Sequence, residues 1–201
     1  MLNLAILASG RGSNMVSLVE AVKKKDLPVK IVAVVTNKIG APCLDKADSL
    51  GIPSYCLLPK DFSSRFEYDQ ALAEFLLEKG VDTICLAGFM WLLGAEFVSR
   101  FRGRILNIHP SLLPAFPGLE AQKQALSYGV KISGCTVHFV DEGLDSGPII
   151  LQETVPVLTF DTVESLSERI LVKEHEIYPR ALELLALGKL KVFGRQVEIM
   201  K

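Results

Sequence analysis

Several features that would assign a chain to a common functional class are missing from this sequence. Its four cysteines are widely separated and form no CxxC pair, so a zinc site with the usual ligand spacing is not expected. No apolar run reaches the roughly 18 residues of a membrane-spanning helix, and no basic segment precedes an apolar stretch as in a secretory signal. The formal net charge is -1, which gives no electrostatic support for binding to nucleic acid or to an anionic membrane.

Two motifs of catalysis and nucleotide binding are absent as well. No G-x-S-x-G segment presents a serine nucleophile, and no glycine-rich loop ends in the Gly-Lys-Ser or Gly-Lys-Thr of a Walker A sequence. The 201 residues are instead 49% hydrophobic and 22% charged, a composition that suits one globular domain with a substantial core. We therefore expect residues 1–201 to form a single domain, and the scattered cysteines indicate a reducing, cytoplasmic location.

Hydrophobic patterning predicts strands and helices that alternate along the chain. Such alternation is typical of an α/β fold with an open, mostly parallel, twisted sheet and flanking helices. Later in the chain, Gly134–Val140 and Pro148–Val157 predict an antiparallel extension of that sheet, joined by the loop Asp141–Gly147. The last predicted helix contains Pro179, which is expected to kink or divide it. The predicted strands are Leu2–Leu7, Ile31–Val35, Ser54–Leu57, Val81–Ala87 and Ile105–Ile108, and the predicted helices are one that carries Met15, Leu18, Val19 and Val22, then Cys43–Leu50, Phe66–Lys79, Gly94–Arg100 and Thr162–Leu187.

A glycine-containing segment, Ser9-Gly10-Arg11-Gly12-Ser13-Asn14, connects the first predicted strand to the first predicted helix. Its glycines allow the backbone to approach an anion closely, and amides at a helix N-terminus point toward such a ligand. The Ser13 hydroxyl and the Asn14 amide are further donors, although the segment is not a complete G-x-G-x-x-G. Two interpretations remain open: a phosphate site, or an ordinary strand-to-helix turn in which Ser13 or Asn14 caps the helix.

The run Leu106–Pro114 contains Asn107 and His109, two residues apart on an extended chain, so their side chains point the same way. Pro110 ends the strand, and open α/β sheets bind ligands at strand ends. Asp145, in a glycine-flanked loop, is suited to orient the His109 ring and stabilise its protonated form, and Asn107 is suited to donate to an oxyanion. These residues favour acyl transfer to a nucleophile that the substrate supplies. The alternative is that His109 ends a strand and Asp145 belongs to a turn.

Three other titratable residues carry weaker signals. His138 lies in an alternating strand, which favours a structural role. His175 lies within the last predicted helix, where packing or hydrogen bonding is the simpler interpretation. Glu174, beside it, is interpreted by default as part of a solvated helix face.

Together these segments closely resemble the glycinamide ribonucleotide formyltransferases, the folate-dependent enzymes of purine synthesis. The Asn-x-His-Pro-Ser-Leu-Leu-Pro block alone identifies only the wider formyltransferase superfamily, and the phosphate loop and single-domain length narrow the resemblance to this member. The matching segments follow the family order and spacing over nearly the whole chain. They are Ser9–Asn14, Ala87–Met90, Leu106–Pro114, Pro117–Gly118, Gly134–Val140, Leu144–Pro148 and Glu174–Pro179.

The resemblance implies a Rossmann-like formyltransferase domain in which about residues 1–100 bind the ribonucleotide and about residues 101–201 carry the catalytic residues and the folate loop. It implies 10-formyltetrahydrofolate as co-substrate, glycinamide ribonucleotide as substrate, no metal, no nucleic acid or membrane partner, and a monomer or homodimer. The implied ribonucleotide-binding residues are Gly12, Ser13, Asn14 and Glu174, the folate-binding residues are Arg65, Met90, Trp91, Leu92, Leu93, Asn107, Val140 and Asp141, and the catalytic residues are Asn107, His109 and Asp145.

The resemblance also implies a mechanism. The substrate amine attacks the formyl carbon, Asn107 and protonated His109 stabilise the tetrahedral oxyanion, and Asp145 raises the pKa of His109. Two departures from the family pattern are visible. Trp91 stands where many members have arginine. A folate contact through the backbone survives this change, whereas one through the side chain implies a different folate affinity. The segment Leu119–Gln122 lacks a histidine often found after the Pro-Gly, and we assign it no catalytic role.

Three alternatives remain. Formyltetrahydrofolate hydrolase shares the catalytic block but usually carries an N-terminal regulatory domain, whereas this chain starts directly at the first predicted strand. Methionyl-tRNA formyltransferase has an additional C-terminal domain and a basic surface, neither of which is evident in the sequence. A nucleotide-binding module without catalysis would use only Ser9–Asn14 and would leave Asn107, His109 and Asp145 unexplained.

Overall fold

The computed structural model describes residues 1–200, which contain nine strands, six α-helices and a short 3-10 turn at Pro59–Asp61. The strands are β1 (Leu2–Leu7), β2 (Val29–Thr36), β3 (Ser54–Cys56), β4 (Thr83–Leu86), β5 (Ile105–His109), β6 (Ile132–Phe139), β7 (Ile149–Pro156), β8 (Leu190–Phe193) and β9 (Gln196–Ile199). The helices are α1 (Ser13–Lys24), α2 (Pro42–Ser49), α3 (Arg65–Glu78), α4 (Ala95–Arg100), α5 (Ala121–Tyr128) and α6 (Val163–Ala186).

Residues 1–106 form one compact unit built on parallel strands. Strand β1 pairs in parallel with β2 on one side and with β4 on the other, and β2 pairs in parallel with β3. The side chains from Leu4 to Ala8 are completely buried, as are Ala33, Val34 and Val35. Continuous burial explains why these two segments are apolar at every position, since a parallel sheet is covered on both faces.

Helix α3 of this unit begins at a strong capping signal. The Ser64 hydroxyl accepts a hydrogen bond from the Glu67 amide at 3.1 Å, and the Glu67 carboxylate accepts from the Ser63 amide at 3.1 Å. These reciprocal bonds satisfy donors that the first turn of a helix leaves open. The cap fixes where the helix starts, so Tyr68 and Asp69 lie on its buried face one turn later.

The residues from Asn107 onward form a second compact unit. Strands β6 and β7 pair antiparallel, from Ile132 opposite Pro156 to His138 opposite Ile149, and α6 packs against both strands. Helix α6 begins at a reciprocal cap between Thr162 and Ser165. Pro179 lies inside α6 and does not divide it, because the helix continues without interruption to Ala186.

The predicted fold class is confirmed. Hydrogen bonding orders seven strands as β3-β2-β1-β4-β5-β6-β7, a mostly parallel sheet with an antiparallel extension at β7, and β8 and β9 form a separate hairpin. Every predicted strand and helix is present with bounds that shift by a few residues. Helix α5 and the β8–β9 hairpin are additional elements that the patterning did not reveal. The organisation as a single domain stays a prediction.

None of the helices within residues 1–200 is both long enough and apolar enough to cross a membrane.

Candidate active site

The end of strand β5 carries two polar side chains of the candidate site. Asn107 and His109 occupy alternate positions of the strand, with Ile108 buried between them. Alternation along a strand directs the two side chains to the same face of the sheet. Pro110 follows at once and ends the ladder, because proline has no amide hydrogen to donate.

His109 is buried and both of its ring nitrogens face an acceptor. Nε2 donates to the Phe116 carbonyl at 2.9 Å, and Nδ1 lies 3.4 Å from Oδ2 of Asp145. Burial lowers the pKa of the His109 imidazole, whereas the Phe116 carbonyl and the Asp145 carboxylate each act in the opposite direction. Asp145 therefore has the upward effect on the pKa that the sequence predicts, but burial is stronger and the net shift is downward.

Three different groups surround the Asp145 carboxylate. Its Oδ2 accepts from the Gly118 amide at 2.8 Å, and its Oδ1 lies 3.4 Å from Nδ2 of Asn107 and 3.7 Å from Nε2 of His138. Burial alone raises the pKa of this carboxyl, but the nearby His138 ring, the hydrogen bond from the Gly118 amide and the charge of His109 outweigh burial and lower it. The carboxylate thus stays ionised beside His109.

His138 belongs to the same cluster of side chains as Asn107, His109 and Asp145, although the sequence favours a structural role for it. Its side chain is only 2% exposed. Nδ1 donates to the Phe139 carbonyl at 2.8 Å, which leaves Nε2 of the neutral ring to accept from Nδ2 of Asn107 at 3.2 Å. The available signal was a polar ring in an otherwise buried strand, since a buried imidazole needs partners for both nitrogens.

The segment after His109 is fixed by Thr136, on the neighbouring strand β6. Its hydroxyl donates to the Ser111 carbonyl at 2.7 Å and accepts from the Leu113 amide at 3.0 Å. Gln152 of β7 adds a bond to the Leu113 carbonyl at 2.9 Å. These buried bonds satisfy the backbone where β5 ends and so hold the chain that leads to Phe116.

The loop Ser9–Asn14 of the first unit has the geometry of an anion-binding turn. Gly12 has a φ of 71° and precedes the first residue of α1, Ser13, and no side chain caps this helix end. The interpretation in which Ser13 or Asn14 caps the helix is therefore wrong, because Gly12 holds the capping position. A helix N-terminus without a side-chain cap presents backbone amides to an anion.

The first unit also contains the predicted folate residues Arg65 and Met90–Leu93. Met90 and Leu92 expose 68% and 58% of their surfaces, whereas Leu93 is buried. The Met90 amide donates to the Ser9 hydroxyl at 2.7 Å, and Arg65 donates to the Leu92 carbonyl. The segment is therefore tied to its own unit through its backbone while two apolar side chains remain accessible.

The predicted folate residues of the second unit lie where β6 ends. Val140 follows the last residue of β6, and Asp141 begins the next loop. The Asp141 carboxylate accepts from the Gly143 amide at 3.1 Å and from the Ser146 hydroxyl at 2.6 Å. These bonds shape the loop that ends at Asp145.

Glu174 lies on α6 and is only 7% exposed. The interpretation of Glu174 as part of a solvated helix face is therefore wrong. Helical patterning did not reveal its burial, because one carboxylate inside a long amphipathic helix leaves the apolar periodicity intact. A buried carboxylate needs hydrogen-bonding or charged partners.

The residues of the cluster suggest acid–base and electrostatic chemistry. The groups beside His109 are the Asp145 carboxylate, the Asn107 amide and the His138 imidazole. Such groups can accept or donate protons and can polarise a carbonyl. Within residues 1–200 no group of three or more His, Cys, Asp or Glu side chains is arranged to hold a metal ion.

Comparison with known proteins gives consistent matches over most of the chain. The family described as "Formyl transferase" matches residues 2–182. The chain is 40% identical to the phosphoribosylglycinamide formyltransferase of Bacillus subtilis over 92% of its own length and 95% of the relative. It is 51% identical to the trifunctional purine biosynthetic protein adenosine-3 of Drosophila pseudoobscura pseudoobscura over 94% of its length, but spans only 14% of that much longer protein.

Solved structures agree with these sequence matches. The glycinamide ribonucleotide transformylase 1 of Symbiobacterium toebii superposes with a TM-score of 0.98 at 48% identity, covering 100% of this chain and 95% of that one. A formyltetrahydrofolate deformylase from Pseudomonas syringae has a TM-score of 0.90 at 26% identity, and the match covers 100% of this chain and 66% of the deformylase.

Proposed function

This chain belongs to the formyl transferase family, and on that basis we propose that it transfers the formyl group of 10-formyltetrahydrofolate to the amine of glycinamide ribonucleotide. The products are N-formylglycinamide ribonucleotide and tetrahydrofolate, and the reaction belongs to purine biosynthesis. The observation that carries this proposal is the cluster of Asn107, His109 and Asp145, in which the carboxylate lies against both other side chains. The similarity to phosphoribosylglycinamide formyltransferases over nearly their full length supports the choice of substrate.

In the proposed mechanism, the substrate amine attacks the formyl carbon and forms a new carbon–nitrogen bond. Negative charge develops on the formyl oxygen, and the Asn107 amide and the protonated His109 ring stabilise it. Breaking the bond between the formyl carbon and the folate nitrogen then releases the transferred group. The attacking amine loses a proton, and the departing folate nitrogen gains a proton where its bond to the formyl carbon was broken.

Asp145 has a supporting role in this mechanism. Its charge favours the protonated form of His109, against the opposing effect of burial, and its contact with Nδ1 fixes the orientation of the ring. The Gly118 amide in turn fixes the carboxylate. A preorganised cluster of this kind does not have to rearrange as charge develops, which is the main source of electrostatic catalysis.

We assign substrate contacts as part of the same proposal. Gly12, Ser13 and Asn14 hold the phosphate of the ribonucleotide at the N-terminus of α1. Glu174 contacts the ribose or glycinamide portion, for which its buried carboxylate is an acceptor. The residues we assign to folate are Arg65, Met90, Trp91, Leu92, Leu93, Asn107, Val140 and Asp141.

Two further expectations accompany this function. We propose a cytoplasmic location, which suits the four free cysteines Cys43, Cys56, Cys85 and Cys135. We also propose that the enzyme works as a monomer or homodimer, which sedimentation velocity distinguishes.

A direct assay tests the function. The protein is incubated with 10-formyltetrahydrofolate in the presence and in the absence of glycinamide ribonucleotide, and the release of tetrahydrofolate and the formylated product are both measured. Release that requires the ribonucleotide and matches the formylated product mole for mole supports the transferase. Release without the ribonucleotide would instead establish a hydrolase, and no release in either case would favour a binding module.

A further inference from the structure

We propose that Asp69 is a positioning residue for folate binding, which fixes the loop Met90–Gly94 through Trp91 and Gly94. In this arrangement the backbone of the loop meets the pterin, and the Trp91 indole supports the loop from its own unit. The inference rests on the proposed function, because that function assigns Met90–Leu93 to folate.

Asp69 is a carboxylate on the buried face of a helix. It lies on α3 between the fully buried Tyr68 and Leu72, and only 6% of its surface is exposed. A carboxylate in such a position is costly unless both oxygens have partners. A carboxylate on this apolar face is therefore expected to have specific hydrogen-bond partners.

Both carboxylate oxygens of Asp69 accept hydrogen bonds from the loop Met90–Gly94. Oδ1 accepts from the indole Nε1 of Trp91 at 2.9 Å, and Oδ2 accepts from the Gly94 backbone amide at 2.8 Å. One side chain therefore ties the loop at two points three residues apart. Hydrogen bonds to an ionised acceptor are stronger than those between neutral groups.

The Trp91 ring is directed at α3 by two contacts. Besides its hydrogen bond to Asp69, the ring meets Tyr68 edge-to-face, with centroids 4.9 Å apart and planes inclined by 66°. Aromatic pairs favour this geometry. Both contacts belong to the same unit, so the indole acts as a support for the loop, while the neighbouring Met90 and Leu92 side chains remain exposed.

Gly94 leaves no space between the loop and the carboxylate. A Cβ atom at this position would lie 2.8 Å from Oδ2 of Asp69, a distance that real side chains do not tolerate. The absence of a side chain is therefore what allows the Gly94 amide to reach Asp69. Gly94 also precedes α4, so the same bond fixes where that helix begins.

Arg65 completes the arrangement one helical turn before Asp69. Its Nε lies 3.8 Å from Oδ2 of Asp69, and its Nη2 donates to the Leu92 carbonyl. The middle of the loop is therefore held by Arg65, whereas Trp91 and Gly94 are held by Asp69. All three tethers start from α3, so the loop follows the position of this helix.

Steady-state kinetics with both substrates test the inference. Asp69→Asn keeps one acceptor oxygen and replaces the other by an amide that only donates, so one of the two tethers is lost. We expect the KM for 10-formyltetrahydrofolate to rise about tenfold, the effect of losing one hydrogen bond to a charged group. The KM for glycinamide ribonucleotide and kcat are expected to change less than about twofold, since neither depends on this loop.

Trp91→Phe gives a second, milder test. Phenylalanine retains an aromatic ring against Tyr68 but lacks the N–H donor, so the folate KM should rise about threefold. Glu74→Gln is the matched control, because Glu74 lies on the same helix but is exposed. It should leave all kinetic constants unchanged, and thermal unfolding of each variant verifies that it is folded.

Three kinetic outcomes would overturn the inference. The first is an unchanged folate KM in Asp69→Asn, and the second is an equal rise of both KM values, which denotes a general loss of structure. The third is a larger effect of Trp91→Phe than of Asp69→Asn, which would mean that the indole itself contacts the pterin. Wild-type protein that transfers no formyl group overturns the proposed function instead, so the two failures are distinguishable.

Fluorescence tests the contact without any substrate. Trp91 is the only tryptophan in the chain, so the emission spectrum reports on this ring alone. Asp69→Asn should shift the emission maximum because the indole N–H loses its buried acceptor, and Glu74→Gln should not. An emission spectrum that is identical in the wild type and Asp69→Asn would contradict the proposed support.

Discussion

Nε2 of His138 lies 3.2 Å from Nδ2 of Asn107, so the amide that is assigned to the oxyanion is held by a second histidine. The Nδ1 atom of His138 donates to the Phe139 carbonyl, which makes Nε2 the acceptor of the neutral ring. This relationship fixes the orientation of the Asn107 side chain, because an oxygen in place of Nδ2 would face another acceptor. His138 therefore positions Asn107 for the proposed reaction.

Removing the ring of His138 should slow catalysis. In His138→Phe the Asn107 amide loses its acceptor, and we expect kcat to fall about tenfold or more, with a smaller effect on either KM. His138→Gln offers a side-chain oxygen in place of Nε2 and should recover part of the rate. Equal losses in the two variants would show that the acceptor is irrelevant.

The Asp145 carboxylate should be essential for turnover. We expect Asp145→Asn to reduce kcat by about 10²–10⁴-fold, because the ring of His109 loses both its orienting acceptor and the charge that favours protonation. The KM for glycinamide ribonucleotide should remain near the wild-type value, since its phosphate is assigned to the separate Ser9–Asn14 loop. A variant with nearly normal turnover would refute the catalytic role of Asp145.

The titration of His109 provides a prediction that needs no substrate. Burial lowers the pKa of this ring, so NMR should show it titrating below the usual 6.5. Asp145 acts against that shift, and Asp145→Asn should therefore lower the pKa further. Only three histidines are present, which keeps the assignment simple. A higher pKa in the variant would contradict the arrangement.

Gly12 should tolerate no side chain. Its φ is 71°, and an added Cβ would lie 2.7 Å from Cβ of Cys43. We expect Gly12→Ala to lower the free energy of unfolding by about 2 kcal/mol and to raise the KM for the ribonucleotide. Gly10→Ala is the stability control, since no atom lies within 4 Å of its added Cβ. Denaturant unfolding of both variants measures the difference.

The ion pair of Asp161 with Arg169 should make stability depend on pH. Two hydrogen bonds of 2.8 Å from Arg169 lower the pKa of the Asp161 carboxyl well below its usual range. A group with a lowered pKa stabilises the fold above its unfolded pKa of about 3.9, and that stabilisation is lost as the pH falls further. Asp161→Asn should therefore lower Tm by several degrees at neutral pH.

Measuring Tm of the wild type and Asp161→Asn over a series of pH values provides the control. The difference in Tm between the wild type and Asp161→Asn should shrink as the pH falls from 5 toward 2. In this range the Asp161 carboxyl of the unfolded wild-type chain becomes protonated while the folded one keeps its charge, which favours unfolding. A difference that stays constant over this range would mean that the charge of Asp161 contributes nothing.

Much of the fold could be predicted because its strands and helices have clear periodicities. The continuous apolar run Ile31–Val35 predicts a strand buried on both faces, and Ala33, Val34 and Val35 are completely buried. Helix α5 was missed because its buried residues are the small Ala121 and Ala125, which give a weak apolar pattern. The β8–β9 hairpin is mostly exposed, so no core face marks its strands.

The candidate site was predictable where spacing along one strand determines direction, as for Asn107 and His109. The contribution of His138 was not, because it depends on the pairing between strands and on a hydrogen bond to its own neighbour. The burial of Glu174 and the direction of the Trp91 ring depend in the same way on packing against other elements. Periodicity within one segment contains no information about such partners.

The cluster of Asn107, His109, His138 and Asp145, with the Gly118 amide and the Phe116 carbonyl, comes entirely from residues 107–145. All members of this cluster therefore belong to the second compact unit, and none of the contacts among them crosses into the first.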